Sequence, residues 1–204
     1  MTIKSTDNNN STNPDITYSE CYGKPIISRI WEMPNSRTFK IKAIRNLILK
    51  YVSKDMIILD PFANEMSIKN SFQDVKYISN DLDTDYKCDF NLDAEEFLKK
   101  FNDKSINFVL FDPPYSGRQV AECYKKLNKT VTMHDTNSGF LTKFKKEISR
   151  ITKENGYVIT CGWSSSGVGK KYGFEIIEIL LVSHGSSHND TICVVEREIT
   201  TLFG

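Results

Sequence analysis

Asp112-Pro113-Pro114-Tyr115 gathers into four residues the groups a polar reaction centre needs. The Asp112 carboxylate is a strong hydrogen-bond acceptor. Two prolines in succession fix φ and lack an N–H, so the backbone carbonyl of Pro113 is held rigidly. Tyr115 adds an aromatic face. Two further acids stand in similar settings: Leu59 runs into Asp60, and Ser79 leads through Asn80 to Asp81. Each of the three follows a short run of strand character. Ligands of open α/β sheets bind beyond the carboxyl ends of the strands, so these carboxylates would lie along one rim. A ligand crossing it would meet acceptors suited to ribose hydroxyls, an amino group or a cationic centre. For any one of them the bland alternative is as good, because Asp is depleted in strands and favoured at turns. Three of them shift the balance, and an Asp-Pro-Pro-Tyr string arises by chance in a chain this long only about once in a thousand.

The elements that must position these residues are readable from periodicity. Residues 38–51 read as a helix, with Ile41, Ile44, Ile48 and Tyr51 three and four apart and lysines and arginine between them. The run 56–59 reads as a strand buried on both faces, 76–79 as a second strand and 106–111 as a third. Residues 92–101 are amphipathic. Residues 137–153 carry the clearest helical stripe, Leu141, Phe144, Ile148 and Ile151, and 156–163 read as the next strand. The runs 174–183 and 191–198 are β-rich and joined by a turn-forming stretch too short for a crossover helix, so they should form an antiparallel hairpin. Residues 17–34 show no period. Strands alternating with helices, then a hairpin, describe an α/β fold with a mainly parallel sheet and a C-terminal antiparallel hairpin.

Composition narrows the field. A chain of 204 residues with 39% hydrophobic and 26% charged content suits one globular domain, read as 17–204, after a polar Asn/Ser/Thr-rich stretch, 1–16, read as a disordered tail. No apolar run approaches the roughly 18 residues of a membrane span. Five scattered cysteines without a Cys-x-x-Cys pair argue against structural zinc and against a disulfide framework, which fits a reducing, cytoplasmic setting. Net charge is +1, so any nucleic-acid contact must come from a local basic surface. His184 and His188 are four apart, but the Gly-Ser-Ser between them argues for a turn rather than a shared helix face, and no metal is expected.

Asp112-Pro113-Pro114-Tyr115 resembles the catalytic signature of the S-adenosylmethionine-dependent N6-adenine and N4-cytosine amino-methyltransferases, written Asp/Asn/Ser-Pro-Pro-Tyr/Phe/Trp. In that family a cofactor-binding stretch, Asp-Pro-Phe-x-Gly-x-Gly, comes earlier. Here it reads Asp60-Pro61-Phe62-Ala63-Asn64-Glu65-Met66: the Asp-Pro-Phe matches and both glycines are replaced. Asn is the least costly substitute where φ must be positive, and Met is not, so the loop is expected to depart from the family's path. The stretch 111–124, with Gly162-Trp163-Ser164 and the segment 184–190, is similar to small phage and prophage-type methylases; the resemblance covers about residues 34–198. It implies a Rossmann-like methyltransferase fold and S-adenosylmethionine as cofactor. It implies Asp112, Pro113, Pro114 and Tyr115 as the catalytic set, and contacts to the cofactor from Thr38, Phe39, Asp60, Pro61, Phe62, Asn64, Asp81 and Asp93. Asp89 competes with Asp93 for the adenine end, and Ser36 or Thr38 reads equally well as a helix cap.

The acceptor that the resemblance implies is an exocyclic amino group of a nucleic-acid base, with N6 of adenine in DNA expected. RNA, N4 of cytosine and a catalytically silent binding subunit are the alternatives; methylation of a protein glutamine is disfavoured by the leading Asp. Phosphate contacts are expected from Arg118, Lys125, Lys126 and Lys129, beside the signature, and from Lys170 and Lys171, although such charges more often serve only as solvated surface. Trp163, at a strand's end, is read as core or as a wall of the base site. No segment reads as long enough for the separate target-recognition domain that this family usually carries, unless 116–139 is a reduced version. Dimerisation is one way to replace it.

Overall fold

β4 (Ile106–Phe111) lies near the middle of the sheet and shows how the chain builds it. Its side chains alternate, Phe108 and Leu110 to one face and Val109 and Phe111 to the other, and all four are buried. The computed structural model describes residues 24–132, 139–185 and 188–199. The stretch read as a disordered tail lies outside them.

The seven strands run in the order β1-β6-β7-β5-β4-β2-β3, where β1 is Ile26–Trp31, β2 Ile57–Asp60, β3 Lys76–Ser79, β5 Thr152–Gly162, β6 Phe174–Ser183 and β7 Thr191–Glu198. All neighbouring pairs are parallel except β5–β7 and β6–β7. The expected mainly parallel sheet with a C-terminal antiparallel hairpin is therefore present. One apolar layer packs helix α1 (Lys42–Lys50) on the face that carries Ile58, Phe108 and Leu110. The other packs α2 (Ala94–Leu98), α3 (Gly117–Lys126) and α4 (Phe140–Ile151) against Leu59, Val109 and Phe111.

Three elements differ from the periodicity reading. β1, in the stretch without a period, pairs with β6 at the sheet's edge. All six of its residues are exposed, so neither face imposes an alternation. The helix expected over 38–51 splits into a 3-10 turn, Thr38–Lys40, and α1. α3 falls where no helix was expected. Only its Val120 is buried, which leaves too little apolar signal, and the Ser116 hydroxyl caps it by accepting from the Gln119 N–H at 3.3 Å. No helix among the described residues is long and apolar enough to cross a membrane.

Candidate active site

β2, β3 and β4 end side by side, and the parallel pairing brings the ends of their chains to one rim. There a cavity of about 660 Å³ opens, within the 300–1,000 Å³ that ligand pockets occupy. Asp81 lines it, as do Asp112, Pro113, Pro114 and Tyr115 from the end of β4. Pro61, Phe62 and Asn64 contribute from the loop after β2, Asp93 and Ala94 from the start of α2, and Ser36 and Thr38 from the segment before α1.

Asp60 is fully buried and is not among the lining residues. Its carboxylate accepts the Tyr77 hydroxyl at 2.7 Å. Burial pushes its pKa up to about 7, against that hydrogen bond, and the nearby charges of Asp112 and Asp81 push the same way. Asp81 accepts the Asn64 N–H at 2.9 Å and the Asp83 N–H at 2.9 Å. Burial raises its pKa too, and those two N–H bonds oppose the rise. The rim thus holds three interacting carboxylates in poorly solvated ground, a field that favours a cationic ligand.

The loop between β2 and β3 turns left-handed at one residue that tolerates it, Asn64, and at one that does not favour it, Met66. Asn64 has φ +46° and Met66 φ +51°, both left-handed. These are the two positions where the resembled motif has glycine. The Met66 N–H bonds to the Ala63 carbonyl at 2.7 Å, and the Ala63 N–H to the Asn80 carbonyl at 2.9 Å. Asn64 donates its side-chain amide to the Phe62 carbonyl at 3.2 Å. The turn is held from outside, so the left-handed backbone persists without glycine. A departure from the family's path was expected; at these two residues the backbone holds the positive φ that glycine would allow. Glu65 between them pairs with Arg37 and with Lys40 (3.4 Å), which ties the segment before α1 to the loop.

At the other end of the cavity the Tyr115 hydroxyl donates to Asp112 Oδ1 at 2.5 Å and lies 3.4 Å from the Thr38 hydroxyl. Burial raises the Asp112 pKa; the hydrogen bonds from Tyr115 and Thr38 hold it down. Gln119, in the first turn of α3, accepts the Tyr115 N–H at 2.6 Å. The Tyr115 ring meets Trp163 at 5.7 Å between centroids, with the planes 72° apart. Trp163 is 44% exposed and so belongs to the rim rather than the core.

The other expected residues divide. Phe39 is a buried core residue and does not line the cavity, while its neighbour Thr38 does. Asp93 lines the cavity and also caps α2, accepting the Glu95 N–H at 2.9 Å. Asp89, its competitor, is spent on the Ser79 N–H and hydroxyl, both at 2.8 Å. Lys126 pairs with Asp83 at 2.7 Å on the cavity wall; Arg118 pairs with Glu122 at 2.8 Å along α3. Lys125, Lys129, Lys170 and Lys171 are exposed. His184 is buried, with Nδ1 2.9 Å from the Glu32 carbonyl and Nε2 2.9 Å from the Thr191 hydroxyl, so both ring nitrogens serve packing. Among the described residues no group of three His, Cys, Asp or Glu could hold a metal ion.

Sequence reasoning missed Gln119, Asp83 and Asn80. The Asn80 amide bonds the Pro61 and Leu92 carbonyls, both at 3.1 Å, and so joins the loop after β2 to the start of α2. Its position at the end of a strand was the one available signal.

No protein-family model matches the chain, and no curated protein matches it in sequence. Solved structures do match in shape. A S-adenosylmethionine-dependent methyltransferase from Archaeoglobus fulgidus superposes with a TM-score of 0.56 at 11% identity, over 80% of this chain and 95% of that one. The putative methyltransferase yhhF from Escherichia coli gives 0.54 at 11% identity, over 83% and 92%. The 1,6-didemethyltoxoflavin-N1-methyltransferase of Burkholderia thailandensis, solved with S-adenosylhomocysteine bound, gives 0.51 at 10% identity, over 77% and 76%. At these identities the likeness establishes the fold: the chain has the Rossmann-like fold of S-adenosylmethionine-dependent methyltransferases.

Proposed function

We propose that this chain is an S-adenosylmethionine-dependent methyltransferase acting on an exocyclic amino group of a nucleic-acid base, with N6 of adenine in DNA as the expected acceptor. The observation that carries the reading is the position of Asp112-Pro113-Pro114-Tyr115. The string ends a central strand and lines the same cavity as Asp81 and the Asn64 loop.

The cavity fits the cofactor in its chemistry. Asp81 offers acceptor lone pairs suited to ribose hydroxyls, and the carboxylates of Asp60, Asp81 and Asp112 favour a positive centre. When bound, S-adenosylmethionine supplies an activated methyl group on a sulfonium centre. The protein's task is then to make an amine nucleophilic and aim it. An exocyclic amine is a poor nucleophile because its lone pair is delocalised into the ring. The Asp112 carboxylate and the Pro113 carbonyl accept its two N–H bonds, which localises the lone pair on nitrogen. The Tyr115 ring stacks on the base and fixes its plane, and orientation supplies much of the rate. The Tyr115 hydroxyl occupies one lone pair of Oδ1, and a carboxylate keeps further acceptor sites for the amine. Base extrusion from a duplex costs a few kcal/mol, partly offset by stacking.

The test is incubation with isotope-labelled cofactor and either DNA or RNA, followed by nucleoside mass spectrometry. Label on N6-methyladenine from DNA is the expected result. Label from RNA alone reassigns the substrate, and no label from either overturns the reading.

A further inference from the structure

We infer that residues 163–171, the connection from β5 to β6, form the track for the single-stranded nucleic acid that flanks the acceptor base. The inference rests on the nucleic-base reading of the Asp112 site. Trp163 leaves the carboxyl end of β5 one ring away from that site: it meets Tyr115, whose hydroxyl is on Asp112. Ser164, Ser165 and Ser166 follow, all exposed. Lys170 and Lys171 end the segment, also exposed. No Asp or Glu occurs between Trp163 and Gly173. From end to end the segment therefore presents an aromatic ring beside the site, a serine run in which the Ser164 and Ser166 hydroxyls lie 3.0 Å apart, and two ammonium groups at the opposite end of the strands. This combination can stack a base and bind phosphate further along the strand.

The underside of the segment is built to hold still. Glu196 of β7 is fully buried and accepts the Val168 N–H at 2.6 Å and the Gly169 N–H at 2.8 Å. Lys145 of α4 donates to the Gly167 carbonyl. Gly167 is required there: it has φ +51°, and a Cβ would stand 2.3 Å from Glu196 Oε2. A buried carboxylate is costly unless its hydrogen bonds are good, and here both go to this one connection. Fastening the buried end leaves the Trp163–Ser166 arc presented outward with little freedom to lose on binding. Glu196 is thus a positioning residue, while Trp163, the three serines and the two lysines make the contacts. An acidic peptide would satisfy the charges but has no base to stack on Trp163.

The chain has two tryptophans, so a Trp31→Phe variant leaves Trp163 as the sole tryptophan, excited selectively over the tyrosines. The probe is a twelve-residue oligothymidylate. Thymine has no exocyclic amine, so binding is measured apart from any methyl transfer. Expected results are quenching of Trp163 on titration and weaker quenching by an abasic strand of equal length. Trp163→Leu should bind a dye-labelled oligothymidylate about fivefold more weakly or worse. Changing Lys170 and Lys171 to Gln, two exposed positions whose loss leaves the core intact, should lower the slope of log K against log salt by about 0.7 for each lysine. Glu196→Gln should lower the fluorescence anisotropy of Trp163 in the free protein and raise KM for a methyl-accepting strand more than it lowers kcat. The inference fails if oligothymidylate leaves Trp163 unquenched, if the abasic strand quenches equally, or if poly-glutamate does. Quenching without methyl transfer to any nucleic acid keeps the track and refutes the proposed chemistry.

Discussion

Replacing Asp60 by Asn should stabilise the protein above neutral pH and do nothing in acid. Asp60 is 0% exposed, and its pKa stands at about 7 against an ordinary 3.8. Burial is the main cause, the charges of Asp112 and Asp81 add to it, and the Tyr77 hydroxyl opposes it. Between pH 4 and 7 the folded protein therefore keeps a proton that the unfolded chain gives up. More protons bound in the folded state means that stability falls as pH rises through this window, then stays low above it. At 1.36 kcal/mol for each pH unit, the gap costs about 4 kcal/mol above pH 7 as an upper bound. Asn is nearly isosteric, and its side-chain oxygen can accept the Tyr77 hydroxyl in place of the carboxylate, but it carries no ionisable proton. The assay is urea unfolding of both proteins from pH 4.5 to 8.5. The variant should gain on the wild type steadily with pH and level off above 7. A sulfonium cofactor favours the ionised carboxylate, so wild-type affinity for S-adenosylmethionine should rise with pH through 7, and that for S-adenosylhomocysteine, whose sulfur is neutral, should not. A stability difference that is constant with pH, or an Asn variant less stable at pH 8, would refute the account of Asp60.

Four further outcomes follow from the site. Asp112→Ala should abolish methyl transfer and leave cofactor affinity, read by calorimetry, within a few-fold; Tyr115→Phe removes a hydrogen bond that holds the Asp112 pKa down, so activity should be lost at a higher pH on the acid side than in the wild type. Asp81→Ala strips acceptors from the Asn64 and Asp83 N–H groups, each worth about 1–3 kcal/mol when left unpaired, and should weaken cofactor binding at least about tenfold by that measure. Met66→Gly should be tolerated to within about 1 kcal/mol, whereas Met66→Ile, β-branched at φ +51°, should cost about 1–3 kcal/mol in chemical denaturation. Equal effects of Gly and Ile would remove the left-handed strain at Met66 from the argument.

Legibility in the sequence followed burial. The β3, β4, β6 and β7 runs were readable to the residue because strands with a buried face carry unbroken or alternating apolar patterns. The edge strand β1, exposed throughout, and the thinly buried α3 carried no such signal. Among site residues, Asp81, Asp112 and Tyr115 stood out because acids and a Pro-Pro pair at strand ends are chemically conspicuous, and Asp93, at a helix start, came from the family resemblance alone. Gln119 and Asp83 did not, since a side chain that serves one backbone N–H or one lysine looks like any surface polar residue.

By itself the sequence determined which residues could do chemistry and the alternation that puts them at strand ends, because strand and helix periods are local properties. Only the tertiary structure decided what each acid does there. It buried Asp60 beneath the cavity, turned Asp81 toward it, spent Asp89 on Ser79, and covered Asp112 with the Tyr115 hydroxyl. It also decided that Asn64 and Met66 adopt a glycine's backbone, through bonds to Asp81 and Ala63 and the pinning of Ala63 by Asn80. Those assignments depend on which partners long-range folding brings within about 3 Å of each group, and such distances are not encoded in spacing along the chain.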